Sequence, residues 1–376
     1  MKILQIHNFY KNPGGEDVVL NAEKHILTKH GHHVEQLTRN NNIEIKNFND
    51  YFKVLLNVSY SKKSINILKN FLDTYSPDIV HLHNLFPLWS YSIIEFLKNR
   101  NIPIIMTLHN YRILWDVINI YEKNYPYYDL FKNSKLMTFF ISKLINKKKN
   151  LLINHVNKFI TFNEFSHNEF LKAGIDKNKI SIKPNFLIDK KIKILSLNKK
   201  KDAIYAGRIS HEKGILTLLK SWKNFNIKLN VYGDGPLLKK LKNTEFVKFH
   251  GQKKFNEIDY EISKAKILIF PSQVYETMGM SILQAFRAGT LVIASNLGAM
   301  KSIIKDKFNG ILFEPGNSYD LEKKLNWVIN NPLECETITK NALNDFNLKY
   351  SENVNYEKLI DIYQKIINKN LLNDNK

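Results

Sequence analysis

Two short segments in the second half of the chain hold the side chains best suited to chemistry. Gly207-Arg208-Ile209-Ser210-His211-Glu212-Lys213-Gly214 follows an apolar run at 203–206 and leads into a helical pattern from Ile215. Arg208 and Lys213 bracket that tight loop. A guanidinium grips two phosphate oxygens at once, an ammonium acts as a point charge, and a helix start adds the positive end of its dipole. Such a loop suits a departing diphosphate, on which negative charge grows as a glycosidic bond breaks. The second segment, Tyr275-Glu276-Thr277-Met278-Gly279-Met280-Ser281-Ile282-Leu283-Gln284-Ala285, follows another apolar run at 267–270. There Glu276 accepts hydrogen bonds from hydroxyls, and the N–H groups of Met278, Gly279 and Met280 open a helix reaching Arg287. Gln284 lies one turn deeper on that helix. Cations and N–H groups for a diphosphate, beside a carboxylate for sugar hydroxyls, argue for chemistry on a nucleotide sugar.

The first half adds weaker signals. Gly14 and Gly15 stand between a first strand and a helix, where paired glycines let N–H groups approach an anion. Neither G-x-G-x-x-G nor G-x-x-x-x-G-K-[ST] occurs, so nicotinamide-type dinucleotide binding and P-loop hydrolysis lose their signatures. His81, His83 and Asn84 close one predicted strand, and His109, Asn110, Tyr111 and Arg112 follow the next. Histidines at neighbouring strand ends suggest polar contacts to sugar or acceptor hydroxyls. They do not read as a metal site, because H-E-x-x-H and paired-cysteine spacings are absent. His81 is expected to point elsewhere than His83. Asp-x-Asp, which would hold Mg²⁺ or Mn²⁺, is missing after the strands, so no metal and no cofactor are expected beyond the sugar nucleotide itself.

The elements that must position these residues alternate, short apolar runs with helical patterns, which is α/β architecture with largely parallel sheets. Strands are predicted at 3–6, 34–37, 78–83, 103–108, 158–162 and 180–183, then at 203–206, 228–232, 247–249, 267–270, 291–294 and 310–313. Between them lie helices at 18–29, 65–73, 91–98, 215–222, 237–242, 257–265 and 280–287. The charged stretch at 189–202 has neither periodicity and reads as a linker. It separates a first domain (1–189) from a second (203–350), with a last helix, 351–368, long enough to cross back onto the first. Open α/β sheets bind ligands outside the carboxyl ends of their strands. Nearly every residue singled out falls just after a predicted strand.

With 376 residues and 44% hydrophobic content the chain suits two cores. One cysteine, Cys335, excludes an intramolecular disulfide and fits a reducing compartment. No run approaches the ~20 apolar residues that span a bilayer, and the short apolar start reads as a buried strand. A net charge of +21 attracts polyanions. Residues 130–163 hold seven lysines and no acid, interleaved with apolar residues, which reads as a patch for anionic lipid headgroups. Aromatics do not alternate with the basic runs as base-stacking platforms would, which speaks against nucleic acid.

At these residues the chain resembles the retaining GT-B glycosyltransferases of family four. The Gly-Gly loop, the strand-end His81-Leu82-His83-Asn84, Thr107–Arg112, Gly207–Gly214, Gly233-Asp234-Gly235-Pro236 and the Tyr275–Ala285 helix start carry the resemblance. It implies two Rossmann-like domains facing across an interdomain cleft, a nucleotide-sugar donor on the second, an acceptor largely on the first, and retention of anomeric configuration without a metal. By position, Arg208 and Lys213 resemble the diphosphate pair, Glu276 the first glutamate of an E-x7-E motif contacting the donor sugar, and His109 the histidine beside that sugar. Gly15 resembles the loop near the phosphates. The second glutamate of E-x7-E, which holds ribose, is Gln284 here. Tyr111 and Arg112, with His83 and Asn84, would face the acceptor. The implied enzyme is cytoplasmic, peripheral on the inner face of the membrane, and moves a sugar from UDP or GDP to a polyprenyl-diphosphate-linked glycan for capsule, O-antigen or exopolysaccharide. A sugar-nucleotide epimerase of the same architecture, or a basic binding protein without catalysis, are the alternatives.

Overall fold

The computed structural model describes residues 1–10, 14–44, 60–111, 150–190 and 194–374. Two six-stranded parallel sheets form, each flanked by helices, in a GT-B arrangement. The first contains β1 (Lys2–Phe9), β2 (His33–Asn40), β3 (Ile79–Leu82), β4 (Ile104–Thr107), β5 (Lys158–Thr161) and β6 (Ile180–Ile182), in the order β2-β1-β3-β4-β5-β6. The second contains β7 (Lys201–Ala206), β8 (Leu229–Tyr232), β9 (Val247–Phe249), β10 (Ala265–Phe270), β11 (Leu291–Ser295) and β12 (Ile311–Phe313), in the order β12-β11-β10-β7-β8-β9.

The strands are apolar runs because a parallel sheet covered on both faces exposes neither set of side chains. Alternation then assigns the faces. Val80, Leu82 and Ile104 turn toward Trp89, Ile93 and Leu97, while Ile3, Ile79, Ile105 and Ile160 turn toward Ala22, Ile26 and Leu27. Leu359, Ile362 and Tyr363 of the last helix, Glu352–Asp374, join that second group. Each such side chain, fully buried, contributes about 1.5–3 kcal/mol, which anchors the end of the chain to the first sheet. Glu352 secures the crossing: it accepts from Lys29 Nζ at 2.7 Å and from the Asp189 N–H at 2.7 Å.

The predicted helix at 237–242 is instead a single 3-10 turn, Leu238–Lys240. The Leu237 N–H is taken by Ile209 O at 3.1 Å, which pulls the segment onto the loop after β7 and prevents a regular helix. The last helix extends beyond its expected end, to Asp374.

Candidate active site between the two sheets

Both sheets reverse their strand order next to their first strand. β1 lies between β2 and β3, and β7 lies between β8 and β10. Crevices at such switch points, at the carboxyl ends of the strands, are where open α/β sheets bind ligands. The loop after β7 carries Arg208 and Lys213, and the loop after β10 carries Glu276, so the two chemical segments of the second domain flank one switch point. There Lys213 Nζ donates to Glu276 Oε1 at 2.5 Å, and Ser272 Oγ donates to the same oxygen at 2.7 Å. Both charged side chains are mostly buried, at 29% and 15% exposure. Arg208, by contrast, is 64% exposed and 4.0 Å from Glu212. It is a cation extended toward solvent, available to an anion.

Backbone proximity sets this geometry. Gly214 has φ +72°, and a Cβ there would lie 1.8 Å from Pro271 O, so only glycine lets the two loops meet. The Gln273 N–H donates to Glu212 O at 2.9 Å across the same seam. Gly207 is bonded through its N–H to Tyr232 O, and its own carbonyl lies against Gly233, where a Cβ would come within 1.9 Å.

The loop 275–280 is docked onto the first domain. Thr277 Oγ1 donates to His109 O at 2.8 Å, Asn163 Nδ2 donates to Thr277 O at 2.6 Å, and the Tyr111 hydroxyl donates to Glu276 O at 3.1 Å. The Phe165 and Tyr275 rings meet with centroids 4.7 Å apart. Gly15 faces Met280: a Cβ on Gly15 would lie 3.1 Å from Met280 Cγ. Gly14 donates its N–H to Asp17 Oδ2 at 2.8 Å, closing the start of the helix Gly15–Lys29. Gly279 precedes helix Met280–Ala288 in an extended conformation, with Met278 partly buried against the second core. No backbone acceptor among the described residues takes the N–H of Met278, Gly279 or Met280. Gln284 is buried, and its Nε2 donates to Phe255 O at 3.4 Å.

Behind His109 lies a buried polar cluster. His83 Nδ1 and His109 Nε2 share a hydrogen bond of 3.0 Å. Glu23, wholly buried, pairs through Oε1 with Lys183 Nζ at 2.8 Å, and Lys183 also donates to Asn355 Oδ1 of the last helix at 3.0 Å. His81 is held between the Tyr363 hydroxyl and Thr107 Oγ1, both at 2.7 Å. Burial, with the neighbouring positive groups, pushes His83 and His109 well below the ordinary imidazole value, and burial pushes His81 down to about 4. All three are neutral near pH 7. One oxygen of Glu23 and one nitrogen each of His81 and His83 lie within 4.8 Å of one another, a conceivable cation site. The donor set fits poorly. The Lys183 ammonium already neutralises Glu23, and both nitrogens of His81 are engaged.

The orientation of one histidine differs from expectation. His81 does not point away from His83: a spacing of two along a strand puts both on one face, and both lie 3.5–3.6 Å from Glu23 Oε2. His83 and Asn84, expected to face the acceptor, turn inward. His83 is 1% exposed, and Asn84 spends its amide on Asn8 O and Phe86 O, at 2.9 and 3.1 Å, shaping its own loop. Tyr111 is likewise buried, its hydroxyl shared between Ser166 and Glu276 O and its pKa raised by burial, so it is an interdomain strut. Arg112, and the lysines of 130–149, lie outside the described residues. Reading the sequence missed Ser272, Thr277 and Asn163, and it missed Glu23 and Lys183. For Glu23 a signal existed: an acid on the apolar stripe formed by Val19, Leu20, Ala22, Ile26 and Leu27.

Comparison with known proteins accounts for this arrangement. Residues 188–345 match the family described as glycosyl transferases group 1, and residues 14–189 match glycosyltransferase family 4. The chain is a GT-B-fold protein homologous to these glycosyltransferases. It is 26% identical to an uncharacterised glycosyltransferase of Methanocaldococcus jannaschii over 93% of this chain and 94% of that protein. Over 33% of this chain and 38% of the relative, it is 33% identical to the lipopolysaccharide 1,2-N-acetylglucosaminetransferase of Salmonella typhimurium. Among solved structures, sucrose-phosphate synthase of Thermosynechococcus elongatus superposes with a TM-score of 0.75 at 16% identity, covering 98% and 99% of the two chains. HepE of Anabaena, solved with UDP, gives 0.69 at 16% identity over 97% and 100%. These structural likenesses show the fold, and the sequence matches support glycosyltransferase activity. Among the described residues no helix is long and apolar enough to cross a membrane.

Proposed function

We propose that the chain transfers a sugar from UDP or GDP, with retention, to a hydroxyl of a glycan carried on polyprenyl diphosphate, at the inner face of the membrane during surface-polysaccharide assembly. The observation that carries the chemistry is the Lys213–Glu276 pair at the switch point of the second sheet, held against His109 by Thr277. The diphosphate would lie against Lys213, Arg208 and the Gly207 loop, with Gly14 and Gly15 opposite, and near the N–H groups of Met278, Gly279 and Met280. Glu276, displaced from Lys213 by the phosphates, would take hydroxyls of the donor sugar beside His109. Gln284 would meet the ribose.

In this reading Arg208 and Lys213 stabilise the leaving nucleoside diphosphate as the bond to the sugar breaks, the term that commonly dominates such catalysis. The acceptor hydroxyl attacks from the face the leaving group vacates, and the departing phosphate takes its proton, so no side chain must act as a strong base. The two domains exclude water, which would otherwise hydrolyse the donor. Two Klebsiella pneumoniae proteins from a cps region, 24% and 23% identical to this chain, support the polysaccharide setting. The membrane assignment rests on the charge of +21 and the lysines of 130–163.

The test is a panel of sugar nucleotides screened by thermal shift, followed by transfer assays with the donor that stabilises the protein. Lys213→Ala should lower kcat by about 10²–10³-fold while the unfolding temperature stays close to wild type. A near-normal rate in a folded variant overturns the assignment. Conversion of the donor to an epimer without any acceptor would point to the epimerase instead.

A further inference from the structure

Among the buried polar atoms of the first domain that carry no hydrogen bond are Glu23 Oε2 and His83 Nε2, which lie 3.5 Å apart. No hydrogen bond joins them, yet the separation is short enough for the charge on one to decide what the other must be. His83 and His109 are neutral, so each ring carries one N–H, and their shared bond uses one of the two protons. Only two arrangements follow. In the first, the Nε2–H of His83 faces Glu23 Oε2, its Nδ1 accepts the Nε2–H of His109, and Nδ1 of His109 is left bare. In the second every proton is reversed, His109 carries Nδ1–H, and the lone pair of His83 Nε2 confronts a carboxylate oxygen in a buried site. The first is favoured by the charge of Glu23, which Lys183 holds in place from the other oxygen at 2.8 Å.

We infer that Glu23 is a positioning residue that acts through His83 to set the tautomer of His109, so that His109 presents a bare Nδ1, a pure hydrogen-bond acceptor, to the ligand. His109 is the member of this group that is half-buried at the strand ends, and its Nδ1 makes no hydrogen bond to a described residue, whereas His81 and His83 are closed in. An acceptor nitrogen chooses a ligand hydroxyl over a phosphate, ether or carbonyl oxygen. The inference rests on the proposed donor site in one respect, that the hydroxyl belongs to the donor sugar. The tautomer itself does not depend on it.

The test is long-range ¹H–¹⁵N NMR of protein labelled at its histidine rings, with the His109 signals assigned from His109→Asn. Wild type should show His109 protonated at Nε2 and bare at Nδ1. In Glu23→Gln the amide oxygen turns to Lys183 and the NH₂ to His83 Nε2, which must now accept, so His109 should switch to the Nδ1–H form. The donor KM should rise about tenfold. If that variant does not fold, Glu23→Gln with Lys183→Met removes both buried charges, and His109 should then lose its single tautomer. A protonated Nδ1 in wild type, or an unchanged tautomer in the variants, overturns the inference. So does stoichiometric metal in the purified protein, which would make Glu23, His81 and His83 ligands. Should the tautomers behave as stated while no sugar nucleotide binds, the donor-site reading fails and the role of Glu23 stands.

Discussion

Replacing Gly214 by alanine tests whether the two loops of the second domain act as one site. The added Cβ would lie 1.8 Å from Pro271 O, and side chains essentially never approach below 3.0 Å, so the loops must part by about 1.2 Å. The residue must also hold φ +72°, a left-handed conformation that disfavours alanine by about 1 kcal/mol. Gly31 supplies the control. Its φ is +80°, but nothing lies within 4 Å of its Cβ position. Gly31→Ala should therefore show the backbone term alone, about 1 kcal/mol in urea unfolding. Gly214→Ala should add an overpacking term of about 1–3 kcal/mol. The functional consequence is larger. A shift of about 1 Å moves the loop that carries Lys213 against the loop that carries Glu276, and so moves the proposed phosphate contact against the proposed sugar contact; misplacement on that scale lowers turnover by about 100-fold. Activity should thus fall in Gly214→Ala far more than stability does, and not at all in Gly31→Ala. Equal stability losses in the two variants would show that the loops do not press on each other. Full donor turnover in Gly214→Ala would refute the shared site.

Gln284→Glu should lower the donor KM about fivefold if the side chain meets ribose, since a charge-assisted bond is worth ~1 kcal/mol more than a neutral one; an unchanged KM places Gln284 elsewhere. For pH, His81 has its folded pKa depressed by burial to about 4 from 6.5, so the unfolded chain binds the proton more readily. Its stabilising contribution is present above pH 6.5 and is lost as pH falls toward 4, on the order of 3 kcal/mol in total, and His83 and His109 act in the same direction. Urea unfolding between pH 6.5 and 5.5 reads these groups before unfolded-state carboxylates such as Glu44, with an ordinary value of 4.5, take up protons, and a flat stability there would contradict the buried, neutral cluster. Cys335 is buried and its thiol is pushed up to about 11, mainly by burial, so thiol reagents should label it only after unfolding; rapid labelling of native protein would be inconsistent with its place in the core.

Both sheets were legible in the sequence for one physical reason. A parallel strand covered on two faces must be apolar throughout, so runs such as Ile104–Thr107 and Leu291–Ser295 stand out against their surroundings. The loops after β7 and β10 were legible because cations, a carboxylate and glycines crowd the ends of such strands, where a sheet leaves room for a ligand. What escaped depends on how the two sheets meet. Thr277 and Asn163 are unremarkable until one domain is set against the other, and nothing in the sequence pairs the Tyr111 hydroxyl with Glu276 O. The histidines pose a different difficulty. His83 lies at a strand end, as a ligand-binding residue would, yet its neighbours turn inward to Glu23, Lys183 and the last helix. Position along a strand locates a side chain near the cleft but does not say which layer it enters. The deciding clue was on another element, an acid amid the apolar stripe of the helix Gly15–Lys29. A charge placed there must have a buried counterpart, because burying it unpaired would be prohibitive. His81 in strand β3 and His83 just past its end, two apart on the face that helix covers, were the candidates nearest to hand.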